Sequence, residues 1–217
     1  MQFTTGIKEF KKALTTIKPS VPGKTTLPIL NTVQIVANGG LTIRGTNLEV
    51  GMEVKIDAEV DEPGQANVNF VNMMNFMKGK TTKDLMAVRR DGNKVYFAKP
   101  GHTITLQAAD AAEYPEFATD MKVAGKLNIK NAISKCLPFT SYEETRHFLN
   151  GVCIELGKTA AVVATDGRRL KAIKLGRKLT KAELIVPTKA CQILASKFPD
   201  GKWDIAHDEH RVMFGVD

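Results

Sequence analysis

Ile7, Phe10, Leu14 and Ile17 recur at the spacing of one helix face, and Pro19 marks where that helix must end. On the same wheel Lys8, Lys11 and Lys12 fall on the opposite side. The period then shortens to that of strands. Thr32 to Ala37, Leu41 to Gly45 and Val50 to Ile56 read as three of them, with Asn38-Gly39-Gly40 as the first turn. Pro63-Gly64 marks another turn, followed by a short strand, Ala66 to Phe70, and a methionine-rich helix, roughly Val71 to Met77. Three more strands follow, Leu85 to Arg89, Lys94 to Ala98 and His102 to Gln107, with Asp91-Gly92-Asn93 as a hairpin turn. The order is strand, helix, three strands, and then the same again. It predicts an α+β fold with antiparallel sheets and the helices gathered on one side.

The chain also matches itself. Leu30-Asn31-Thr32-Val33-Gln34-Ile35 resembles Leu149-Asn150-Gly151-Val152-Cys153-Ile154, 119 positions later, and Thr46-Asn47 resembles Thr165-Asp166 at the same offset. Asn93-Lys94-Val95-Tyr96-Phe97 resembles His210-Arg211-Val212-Met213-Phe214 at an offset of 117. Each match is weak alone. In one order at a near-constant offset, they indicate a duplication. The expected domains are 1–122 and 123–217, the second stopping about 17 residues early and lacking its last strand. Helices equivalent to those of the first copy are expected at about Ile129 to Leu137 and just after Pro187.

Composition narrows the classes. The 217 residues are 43% apolar and 25% charged, enough for a buried core and unlike a disordered chain. Thirty-one Lys+Arg against 23 Asp+Glu give +8, which favours a polyanionic partner, nucleic acid first. Most of the excess lies in the second copy, with 16 basic and 10 acidic residues against 15 and 13 in the first. Lys130, Lys135 and Lys189 extend the lysine faces into that copy, and seven basic residues crowd positions 168–181. A solvated face is the plainer reading of each. Together they suggest a surface for phosphates, sequence-independent and salt-sensitive. One Trp and three Tyr are too few for a single-strand stacking platform, so duplex backbone fits better. No apolar run could span a bilayer. Three cysteines without a CxxC, Cys136, Cys153 and Cys191, read as reduced thiols of a cytoplasmic protein.

Candidate chemistry is sparse. Gly23-Lys24-Thr25 imitates the end of a P-loop, but Lys18 stands where the motif needs glycine. His207-Asp208-Glu209-His210 invites a metal, yet it aligns with the Gly92 hairpin, where side chains diverge. A metal-dependent nuclease built on those four residues, and a general RNA-binding module, are the readings from other classes. No catalytic constellation, metal site or cofactor is expected.

Six motifs in order carry a resemblance: Thr26-Leu27-Pro28-Ile29-Leu30, Gly45-Thr46-Asn47-Leu48-Glu49, Glu62-Pro63-Gly64, Glu113-Tyr114-Pro115, Arg146-His147-Phe148-Leu149-Asn150-Gly151, and Ala164-Thr165-Asp166-Gly167-Arg168-Arg169-Leu170. Together they resemble the bacterial DNA polymerase III β subunit family, the replication sliding clamps. The resemblance implies a DNA-clamp fold with sheets outside and helices on the DNA side. It also implies a non-enzymatic processivity factor that encircles duplex DNA and tethers polymerase, clamp loader and repair proteins through their linear motifs. Carried over position by position, Lys8, Lys11, Lys12, Lys24, Lys130, Arg146, His147 and Lys189 would face DNA. Leu149, Thr165, Gly167, Arg168, Arg169 and Leu170 would form the partner-peptide groove. Arg168 stands where the family often has histidine, and Glu143 lies where a neutral residue would suit DNA better. Thr103, Ile104, Thr105 and Leu106 would lie at a subunit interface of the family's dimeric ring. The expectation for this chain is a C-terminally cut clamp, monomeric or irregularly associated. The alternative is a short clamp of two domains closing a trimeric ring.

Overall fold

In the computed structural model, which describes residues 1–79, 84–117, 121–143, 145–176 and 179–216, the apolar arc expected on the first helix is the face that is buried. The chain divides into two compact units, Met1–Phe117 and Ala118–Asp217.

The first unit opens with strand β1 (Gln2–Gly6), which runs directly into helix α1 (Ile7–Ile17). Phe10, Leu14 and Ile17 of α1 are sealed from solvent, with Ile7 and Ala13 almost so. Pro19 sits in the single 3-10 turn that ends the helix, where its missing N–H costs no ladder bond. Strands β2 (Thr32–Ala37), β3 (Leu41–Thr46), β4 (Gly51–Ile56), β5 (Ala58–Glu62) and β6 (Gly64–Asn69) follow, then helix α2 (Phe70–Phe76). Strands β7 (Leu85–Asp91), β8 (Lys94–Lys99) and β9 (His102–Gln107) complete the regular elements.

Two antiparallel sheets result, ordered β5-β1-β7-β8-β9 and β4-β3-β2-β6. Strand β5 departs from the expected pattern. Gly51 to Glu62 is almost one extended run, but it leaves the four-stranded sheet at Asp57 and joins the other beside β1. Glu59, Asp61 and Glu62 leave β5 largely exposed, which suits an edge strand and hides it from an apolar pattern search. Beyond β9 the chain docks on β6: Ala109 N–H donates to the Asn67 carbonyl at 2.9 Å and Asn67 Nδ2 to the Asp110 carbonyl at 2.8 Å. Tyr114 then anchors this strap, its hydroxyl donating to the Arg44 carbonyl at 3.2 Å. Burial pushes its phenol pKa up to about 12.

The second unit repeats the plan with fewer strands. Its elements are β10 (Val123–Leu127), α3 (Lys130–Cys136), β11 (Gly151–Leu156), β12 (Ala161–Thr165), β13 (Leu170–Lys174), β14 (Ala182–Pro187), α4 (Thr188–Lys197), β15 (Trp203–His207) and β16 (Val212–Gly215). The sheets run β10-β15-β16 and β13-β12-β11-β14. Trp203, Ile205, Val152, Ile154 and Val162 form the centre of the core, and α3 packs against α4. Cys136 and Cys191 belong to this core, and burial raises both thiols, Cys191 to about 12. Cys153 is pushed up to about 11 by burial and then by Glu183. All three are therefore thiols rather than thiolates at neutral pH. Among the described residues no helix is long and apolar enough to cross a membrane.

Candidate functional site

The second unit gathers the expected groove residues around one tight turn. Between β12 and β13 the chain reverses over Thr165 to Leu170, and Asp166 organises the reversal. Its Oδ1 accepts from the backbone N–H of Arg168 at 2.9 Å and of Arg169 at 2.8 Å, while Oδ2 accepts from Arg169 Nε at 3.0 Å. Thr165 Oγ1 accepts from Gly167 N–H at 3.0 Å and donates to the Arg169 carbonyl at 2.7 Å. This is an Asx and Ser/Thr turn in which short polar side chains replace missing backbone partners. The N–H groups of Arg169 and Arg168, then the Arg169 guanidinium, hold the Asp166 carboxyl down to about 2. Gly167 sits at φ +86°, a conformation open to glycine.

A second loop closes on this turn. Ser141 N–H donates to the Leu149 carbonyl at 2.9 Å, and Asn150 Nδ2 to the Glu143 carbonyl at 2.9 Å. These ties present the 3-10 turn His147–Leu149 to the Gly167 reversal. A β-carbon on Gly167 would lie 3.3 Å from Arg146 Nη1, tighter than ordinary contact, and 4.0 Å from Leu149 Cδ1, so the missing side chain gives room to Arg146 in particular. Asn150 also anchors the loop to α4, its carbonyl accepting from Thr188 N–H at 3.0 Å and from Thr188 Oγ1 at 2.9 Å. Leu149 is half-buried, whereas Leu170 is 63% exposed. Phe148 at 66% and Tyr142 at 79% extend this exposed apolar surface. Neither Tyr142 nor Phe139 was singled out from the sequence, although an aromatic beside Pro138 and another beside Ser141 were legible there.

Of the expected groove residues, Arg169 is the most constrained. Its Nη2 lies 3.0 Å from Asp166 Oδ2 and donates to the Pro138 carbonyl at 3.2 Å, and its guanidinium lies 5.3 Å from the centre of the Phe139 ring. Arg146 lies 3.8 Å from Glu143 and against Gly167. Arg146, assigned to DNA by resemblance, is thus brought together with the groove residues. His147 is exposed in the same loop.

The remaining basic positions stand elsewhere. On α1, Lys8 and Lys12 are exposed, while Lys11 is half-buried and donates to the Gly79 carbonyl at 3.0 Å. Lys24 is exposed in the loop after that helix, and Lys189 is exposed at the start of α4. Lys130, the first residue of α3, pairs with Asp200 at 3.4 Å. Within the basic run, Arg177 and Lys178 lie outside the described residues. Thr103 to Leu106 belong to β9, an edge strand paired with β8. Thr103 and Thr105 point to solvent, but Leu106 is only 7% exposed, so it would meet another strand through its backbone.

At His207 to His210 the Asp208 carboxylate accepts from the N–H of His210 at 2.9 Å and of Arg211 at 2.8 Å, and from Arg211 Nε at 2.9 Å. Its pKa is lowered by these bonds, the His210 N–H foremost. The carboxylate is committed to closing a hairpin, and no cluster of three or more metal-ligating side chains occurs among the described residues.

Comparison with known proteins points to a family of replication clamps. The family model described as DNA polymerase III beta subunit, N-terminal domain, matches residues 1–118. The beta sliding clamp of Pseudomonas aeruginosa is 30% identical over 98% of this chain and 61% of its own length. That of Escherichia coli K12 is 28% identical over 87% of this chain and 54% of its own length. The crystal structure of the DNA polymerase III subunit beta from P. aeruginosa superposes with a TM-score of 0.91 at 24% identity, covering 100% of this chain and 62% of that one. A sliding clamp from the same organism, bound to griselimycin, superposes at 0.87 and 25% identity, over 100% of this chain and 62% of that one. The chain thus spans somewhat over half the length of these relatives.

Proposed function

The chain belongs to the DNA polymerase III β subunit family, and on that footing we propose that it acts as a DNA sliding clamp, an accessory subunit rather than an enzyme. The single observation that carries the reading is the match of its first 118 residues to the family model. The relatives named beta sliding clamp extend it across the rest of the chain. In this reading 1–122 and 123–217 are clamp domains, and Lys8, Lys12, Lys24 and Lys189 face duplex DNA. Lys11 and Lys130, already engaged with Gly79 and Asp200, add charge to that surface more than direct contacts. Lysines on helix faces touch phosphates without reading bases, which suits a protein that must slide.

The groove around Gly167 is the docking place for short linear segments of polymerases, loaders and repair proteins. A peptide anchored by one or two apolar side chains needs a small pre-formed slot, and Leu149 and Leu170 supply its walls. The edge of β9 at Thr103 to Leu106 is available for strand-to-strand association with a further clamp domain.

The test is primer extension on closed circular and on linear templates with a bacterial replicative polymerase and its loader. A chain that closes a ring, as in the trimeric alternative, gives longer products on circles, retained after challenge with competitor DNA and reduced by the double substitution Lys8→Glu and Lys12→Glu. A monomeric or irregularly associated chain gives no retention on either template, and light scattering on the same sample tells the two apart. Equal retention on circles and open linear DNA by a species of ring-closing mass would sink the clamp reading.

A further inference from the structure

We propose that the groove selects peptides carrying an acidic side chain beside their apolar anchor, with Arg168 as the receiving cation. The inference rests on the groove reading above and deepens it. Three arginines surround the Gly167 turn, and their surroundings separate them. Arg169 is fully engaged with Asp166, the Pro138 carbonyl and the Phe139 ring. Arg146 lies beside Glu143 and folds over Gly167. Arg168 is exposed, and its side chain makes no hydrogen bond or ion pair among the described residues. Yet its backbone is held, because its N–H is bonded to Asp166 Oδ1 at 2.9 Å. A cation whose backbone is held and whose guanidinium has no partner among the described residues is available to a ligand.

The local charge points the same way. Arg168 stands two residues from Leu170, 63% exposed, and Lys174 continues the positive charge on the same exposed face of β13. The nearby carboxylates of Asp166 and Glu143 are already paired. A peptide meeting this surface finds apolar side chains next to unpaired positive charge. The complementary ligand is apolar and acidic in adjacent positions. The equivalent turn of the first unit carries Glu49 where the second has Arg168, and it would repel the same ligand.

The test begins with a displayed library of random short peptides, selected on the whole chain and on its Arg168→Ala, Arg168→Glu and Lys158→Ala variants, with Leu170→Asp as the variant that breaks the groove. Lys158 is exposed in the turn before β12, at the end of that strand away from Thr165, and serves as a control for general attraction to a basic protein. Recovered peptides, and copies with each Asp or Glu replaced by Asn or Gln, are then measured by fluorescence anisotropy. The expected result is enrichment of Asp or Glu beside the apolar residues. The acidic copies should bind tighter by roughly 1.5- to fivefold, less so as salt rises. That preference, read on each protein as the ratio of acidic to neutral copy, should persist in Lys158→Ala, vanish in Arg168→Ala and reverse in Arg168→Glu. Peptides lost on Leu170→Asp but showing no acidic preference, or keeping it in Arg168→Ala, overturn this inference and leave the groove standing. Recovery of no peptide sensitive to Leu170→Asp overturns the groove reading and the inference with it.

Discussion

The turn over Thr46 to Val50 in the first unit and the turn over Thr165 to Arg169 in the second are built from the same hydrogen bonds. Thr46 Oγ1 accepts from Leu48 N–H at 3.0 Å as Thr165 Oγ1 does from Gly167 N–H. Asn47 Oδ1 accepts from the N–H of Glu49 and Val50 as Asp166 Oδ1 does from Arg168 and Arg169. Even the left-handed residue is shared, Leu48 at φ +75° and Gly167 at +86°. The second turn adds bonds from Thr165 Oγ1 to the Arg169 carbonyl at 2.7 Å and from Arg169 Nε to Asp166 Oδ2 at 3.0 Å, and the side chains displayed differ. The first turn shows leucine, glutamate and valine. The second shows nothing, then two arginines. A duplicated backbone device has therefore been kept for its geometry, while its outward chemistry has diverged. A leucine in the left-handed region costs about 1–2 kcal/mol relative to glycine, so the first unit tolerates strain that the second avoids.

The comparison can be broken most severely by Gly167→Leu, which gives the second turn the side chain of the first. The new β-carbon would crowd Arg146 Nη1 at 3.3 Å in a strained backbone. Peptide binding measured by anisotropy should fall by about tenfold or more, and stability by about 1–2 kcal/mol in chemical denaturation. Unchanged binding would mean that the missing side chain is irrelevant to the groove. Next in size are the paired truncations Asp166→Ala and Asn47→Ala. The Asn47 change should cost about 1 kcal/mol, as for a lost cap. The Asp166 change should lower the melting temperature further, because the Arg169 pair is lost with the turn bonds.

Acid should separate the two turns more gently. Asp166 titrates at about 2 in the folded chain instead of 3.8, so its contribution is complete above pH 3.8 and is lost as pH falls towards 2. The Asn47 turn has no such dependence, since an amide does not titrate in that range. Carboxyl NMR through this window should place the Asp166 midpoint well below that of an ordinary aspartate. A midpoint near 3.8 would refute the hydrogen-bonded picture. The smallest effect is expected from Leu48→Gly, which relieves the left-handed strain and should stabilise the first unit by at most about 1 kcal/mol, with the gain in unfolded-state entropy opposing it.

Much of this was legible before any coordinates. Ile7, Phe10, Leu14 and Ile17 announced the buried face of α1, and the run His102 to Gln107 coincides with β9. Strand β5 was not legible, because Glu59, Asp61 and Glu62 give an edge strand no apolar alternation to detect. Leu149 and the Thr165–Leu170 stretch could be singled out from the sequence. The approach of Arg146 to Gly167 could not, since 21 positions of chain separate them.

Periodicity, turn residues and the repeat are properties of neighbours along the chain, and the sequence alone determined them: two copies of an α+β plan and the same Thr-Asx turn in each. Which charges remain available is a property of neighbours in space. Arg146, Arg168 and Arg169 read alike as letters. The fold alone pairs Arg169 with Asp166 and Phe139, lays Arg146 over Gly167 and leaves Arg168 without a partner among the described residues, because electrostatic pairing is decided by distances of a few ångströms that linear spacing does not encode.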